Sequence, residues 1–174
     1  NFYKYNFYKY NFYKYNFYKY NFYKYNFYVM PVICVNPVDE VDAKLLEKLS
    51  NQNQDIRLFV SEHISKETKK SFIGKIAIGD LKDDTHISTA SSGAYCGIFF
   101  ESEEGAQRSV FIEAIKNSRL QRVIWSSPHN PSEEIITMKN LVYIVCKDKH
   151  LAHDVILDFE GRAEVKTEII DLIN

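Results

Sequence analysis

The chain has 174 residues, enough for one domain with an appendage, and its formal charge of −1 hides two oppositely charged parts. Residues 1–28 hold five NFYKY pentapeptides and a final NFY, with five Lys and no acid. The remaining 17 basic residues stand against all 23 acids, so residues 29–174 carry −6, which disfavours a general nucleic-acid or anionic-membrane partner for that part.

The array of residues 1–28 is low-complexity and aromatic, and its period of five suits neither regular structure. On a strand an odd repeat sends successive Lys residues to opposite faces. On a helix five residues advance the pattern by about 140° and smear it around the axis. Three readings stay open for it: a tolerated tandem expansion, self-association through β-prone aromatic segments, and stacking on single-stranded nucleic acid. It can also meet its own acidic domain by charge complementarity.

Residues 29–174 read as a single α/β domain. Residues 29–35 form an apolar, β-rich run, the first strand. Asn36-Pro37 then offers an N-cap with Pro at the first helical position, and Val38, Val41, Leu45, Leu46 and Leu49 share a helical face. Residues 56–60 are the second strand. Ser65 caps a helix whose predicted buried face is Phe72, Ile73 and Ile76, and Lys82-Asp83-Asp84 is a loop. Residues 94–100 are almost continuously apolar, as expected of a strand covered on both faces. Ser102 is predicted to cap a helix with Glu103 and Glu104 in its first turn and Val110, Phe111, Ala114 and Ile115 on its buried face. Residues 122–125 are the fourth strand, 132–138 a short helix and 141–146 the fifth strand. The tail reads as two helices, 150–159 and 163–173, broken at Gly161; a hairpin turning at residues 160–162 is the alternative, because Val155, Leu157 and Phe159 alternate.

Strands separated by helices predict a mostly parallel sheet of five strands in a flavodoxin-like three-layer sandwich of order 2-1-3-4-5. Cys34, Cys96 and Cys146 each sit in an apolar stretch, which predicts buried free thiols in a reducing compartment. No apolar run reaches the 18–20 residues of a membrane span, and no secretory leader is visible, so the expected setting is cytoplasmic without a membrane partner.

Ligands of such sheets bind at the carboxyl ends of the strands. The residues there are Asn36, Ser61 with Glu62, Glu101 with Ser102, and Ser126 with Ser127. GxGxxG, GxxxxGK[ST] and GxSxG are all missing, which disfavours the standard dinucleotide, ATP and nucleophile-elbow sites. His150, His153 and Asp154 have helical spacing for a metal site, with a polar helix surface as the plainer reading; no metal or cofactor is expected. His86-Ile87-Ser88-Thr89 is half of a two-histidine phosphoesterase signature, and His129-Asn130-Pro131 fails to supply the other half.

Glu113 lies in Phe111-Ile112-Glu113-Ala114-Ile115, on the helix after the central apolar strand. In this layout residues 95–125 resemble TIR domains and nucleoside deoxyribosyltransferase-like enzymes, without the residues those families place before the glutamate. The resemblance implies a nucleotide or nucleoside ligand and cleavage of an N-glycosidic bond, with Glu113 as the catalytic carboxylate. The alternative is a non-catalytic interaction or regulatory module whose aromatic array, residues 1–28, mediates self-association.

Overall fold

The computed structural model describes residues 30–52, 55–104 and 106–173. The array lies outside the described residues, and with it the readings of self-association and nucleic-acid stacking.

Seven strands alternate with six helices: β1 Val32–Val35, α1 Glu40–Gln52, β2 Ile56–Ser61, α2 Lys66–Lys70, β3 Lys75–Gly79, α3 Asp84–Ala90, β4 Cys96–Phe100, α4 Arg108–Lys116, β5 Arg122–Ser127, α5 Glu133–Ile136, β6 Leu141–Val145, α6 Lys149–Glu160 and β7 Glu168–Asp171. They form one sheet in the order β3-β2-β1-β4-β5-β6-β7 with every pairing parallel. The five predicted strands are the central five, in the predicted order. The two strands that the pattern missed lie at the edges, and adding β3 turns the arrangement into the 3-2-1-4-5-6 order of the Rossmann-type doubly wound sheet.

The missed strands have a common physical cause. An edge strand is half-solvated, so it does not need the apolar run by which buried parallel strands are recognised. Lys75, Ile76, Ala77 and Ile78 of β3 are all exposed, as are Glu168, Ile169 and Asp171 of β7. The sequence pattern places Ile73 and Ile76 on the face of a helix begun at Ser65. That cap forms, with Thr68 N donating to Ser65 Oγ at 3.1 Å, but the helix stops at Lys70 and buries nothing. Gly74 then turns the chain at φ +130°, where a Cβ would stand 2.8 Å from the Ile56 carbonyl oxygen, and β3 begins at the next residue. Asp83, read as loop, instead caps α3. In the tail, α6 ends at Gly161 as expected, and residues 168–171 form β7 where a second helix was predicted.

Two apolar layers enclose the sheet. On one face Leu45, Leu46 and Leu49 of α1 and Ala152, Ile156 and Phe159 of α6 pack on Val32, Cys34, Leu58 and Ile98. On the other, Ile87, Phe111, Ala114 and Ile135 from α3, α4 and α5 pack on Ile33, Val35, Phe99, Trp125 and Tyr143. Cys34, Cys96 and Cys146 are free and buried, as their settings predict. No helix among the described residues is long and apolar enough to cross a membrane.

α6 buries two titratable side chains, His153 and Glu160. His153 is 6% exposed, and its Nε2 makes no hydrogen bond. Burial, then the charges of Lys48, His150 and Lys149, push its pKa below the ordinary 6.5, and Asp154 opposes them only in part. The folded state therefore favours the neutral ring. Its contribution to stability is complete above pH 6.5 and is lost as the pH falls from there through the lowered folded-state value. Chemical denaturation at pH 7.5 and 5.5 should show a loss on acidification that His153→Leu reduces; an unchanged loss would assign the acid sensitivity elsewhere.

Candidate functional site

The helix after β1 covers one face of the sheet, and the helix after β4 covers the other. The carboxyl ends of β1 and β4 therefore diverge into a crevice, the switch point at which doubly wound sheets hold their ligands. Asn36 fastens its base. This buried residue leaves β1 at φ +70°, in the left-handed region that Asn tolerates better than most side chains. Its amide N–H reaches the Phe59 carbonyl at 2.8 Å, and its Nδ2 reaches the Phe100 carbonyl at 2.9 Å. One residue thus ties together the ends of β1, β2 and β4, its backbone reaching β2 and its side chain β4. Asn36 does not cap a helix, as its sequence position suggested, because α1 begins only at Glu40.

A cavity of about 220 Å³ opens beside it, with Asn36, Val38, Glu101, Ser102 and Ser126 in its wall. Four of the five predicted ligand residues therefore meet there. The fifth, Ser61, lies on the far side of the β1 end. With Glu62, His63, Asp80, Leu81 and Gln107 it lines a second depression of about 340 Å³. The crevice thus has two lobes, one over β4–β6 and one over β2–β3.

Ser102 does not cap α4, which starts at Arg108 behind Gln107. Its amide N–H instead donates to Gln107 Oε1 at 3.1 Å and its hydroxyl to Glu104 Oε1 at 2.7 Å. Glu101, a nearly inaccessible carboxylate, accepts from Arg108 at 3.0 Å and from the Trp125 indole N–H at 3.0 Å. Arg108 also donates to the Asn130 carbonyl at 2.8 Å and to the Tyr143 hydroxyl, which in turn donates to the His129 carbonyl at 2.7 Å. This network fixes the loop after β4 against the loop after β5.

Sequence reasoning missed Lys149, at the start of α6. Its Nζ spans 2.9 Å to Asp42 and 3.0 Å to Asp39. Burial works to lower its pKa, but the two carboxylates outweigh burial and hold it above the ordinary value. Asp42 shows the opposite balance: burial raises its pKa against the pull of Lys149. At the cavity floor, Cys146 lies 3.5 Å from Ser126 Oγ, and burial likewise raises its pKa. A thiol so placed is not a nucleophile near neutral pH.

Glu113 is not part of this assembly. Its side chain is half-exposed on α4, 3.8 Å from Lys116 Nζ, and Lys116 is drawn in turn to Glu134. The i,i+3 pairing on the solvent side of an amphipathic helix explains the placement, because Phe111, Ile112 and Ala114 take the buried side. His150 and His153 lie with ring centroids 5.7 Å apart, but no group of three potential metal ligands occurs among the described residues.

No protein-family model matches the sequence, and no curated protein matches it. Solved structures do resemble it. A short-chain dehydrogenase/reductase from Veillonella parvula, solved in complex with NADP, superposes with a TM-score of 0.62 at 12% identity over 83% of this chain and 94% of that one. A Rossmann-fold NAD(P)-binding family protein from Shigella flexneri gives 0.53 at 13% identity, covering 79% and 92%. A nucleoside-diphosphate-sugar epimerase from Pseudomonas aeruginosa gives 0.54 at 13% identity over 67% of this chain, which spans about half the length of that enzyme. None of these three is a TIR domain or a deoxyribosyltransferase. At such identities the likeness is one of fold, and the fold of residues 30–173 is a Rossmann-type parallel α/β sandwich.

Proposed function

We propose that the domain is a binding module for a nucleoside-type ligand, held across the two lobes of the switch-point crevice. The supporting observation is the crevice itself: two depressions on either side of the β1 end, the first lined by the fixed Asn36 and the second by Glu62 at the carboxyl end of β2. An acid after the second strand is where doubly wound sheets take a ribose hydroxyl. Proteins of the same fold whose descriptions include NADP or NAD(P) binding strengthen the reading.

The proposal is of binding without turnover. Cys146 is held as a thiol and Lys149 as an ammonium, so neither offers a nucleophile near neutral pH. The expected N-glycosidic cleavage required Glu113 within reach of the crevice, and that side chain pairs with Lys116 on the outer face. Adenosine at millimolar concentration should raise the melting temperature of the full chain. Glu62→Ala should weaken its binding about tenfold or more, the order expected for losing a hydrogen bond to a charged group. An unshifted melt of the wild-type chain would sink the reading.

A further inference from the structure

Phosphate binding at a doubly wound switch point has two requirements. The turn after the first strand must let the backbone approach closely, which glycines provide, and the first amides of the following helix must be free. Here the turn is Asn36-Pro37-Val38-Asp39, without a glycine. Pro37 has no N–H. The Val38 N–H is spent on Asp42 Oδ2 at 2.7 Å, and the Asp42 N–H on Asp39 Oδ1 at 3.0 Å. Two amides at the start of the helix are thus taken by its own carboxylates. Glu40 adds a third acid to the same turn, and Lys149 is the cation that faces them.

The opposite wall repeats the pattern independently. The Ser102 N–H is taken by Gln107, and Glu103 lines the cavity. Arg108, which holds the lining residue Glu101, is committed to it, the Asn130 carbonyl and Tyr143. Lys147 is the one cavity-lining cation in no ion pair among the described residues.

We infer that the crevice selects nucleosides against their phosphorylated forms, with Asp39 and Asp42 as the selecting residues and Lys149 as their counter-ion. The inference rests on the binding reading above and specifies its ligand class. A phosphate at the α1 turn meets carboxylates where it needs donors, and each unit charge at contact distance changes affinity by roughly tenfold.

Titration calorimetry of the full chain with adenosine and with ADP tests it. Adenosine should bind at least ten times more tightly than ADP. Asp39→Asn, at a half-exposed position that carries little folding risk, should raise the ADP-to-adenosine affinity ratio about tenfold. Asp39→Asn with Asp42→Asn should raise it further, and Lys149→Ala should lower it. Equal affinities in the wild type, or an unmoved ratio in Asp39→Asn, would overturn the selection while leaving nucleoside binding intact. If neither compound binds, the binding reading falls and the selection with it.

Discussion

Glu101→Ala should cost the domain about 3 kcal/mol, near the lower end of the range for breaking a buried charge pair because Arg108 keeps some solvent contact. The cost comes from what is left behind. One oxygen of Glu101 accepts from both the Arg108 guanidinium and the Trp125 indole. Alanine would strand a cation and an indole N–H among groups that cannot replace the carboxylate, and the Arg108 Nε already has no hydrogen-bond partner. For a domain whose total stability is of order 5–15 kcal/mol this is a large fraction. The melting temperature should fall by about 6–12 °C. Glu101→Gln, which keeps an oxygen for Trp125, should lose less. A fall below about 2 °C for alanine would show that water replaces the carboxylate.

Phe111→Ala should cost about 3–5 kcal/mol, the usual range for emptying a buried aromatic site. Phe111 is wholly buried, with its ring edge-on to Phe99 at 5.2 Å and to Trp125 at 5.7 Å. It joins α4 to the sheet at the strands that end in the crevice. Phe111→Leu keeps most of the volume and should cost about 1–1.5 kcal/mol. Urea titration of the two variants separates cavity formation from loss of the ring: equal costs would mean that the pocket collapses around alanine. Glu101 and Phe111 both bear on Trp125, so their double variant should depart from additivity by about 0.5 kcal/mol or more.

The parts legible in the sequence were those the solvent does not reach. β1, β4 and β6 are buried at every position, and a run such as Leu141–Val145 has no other reading at strand length. The ends of those strands followed, and Asn36, Glu101, Ser102 and Ser126 meet because topology alone brings strand ends together. Two kinds of feature were not legible. β3 and β7 give only one edge to the sheet and can expose isoleucine on a face no helix covers, so their pattern mimics a helix or a loop. Contacts between distant parts of the chain leave no local trace: Lys149 reaches Asp42 across 107 positions. Glu113 is a charge inside an apolar helical run, but its two-residue offset from Phe111, about 200° of helix rotation, carries it from the buried side to the solvated one.

The pairing of β1 also sets an order in time. β1 lies between β2 and β4, and its register with β4 sets Val32 beside Cys96, 64 positions later. At a synthesis rate of about 5–20 residues per second, roughly 3–13 s pass between the two strands leaving the ribosome. During that interval β1 can pair on its β2 side alone, and its other edge is a bare row of amides and carbonyls on apolar residues. The pentapeptide array emerges immediately before it. Parallel pairings over such separations are among the slow steps of folding, so the yield of folded chain depends on how long that edge stays unpaired.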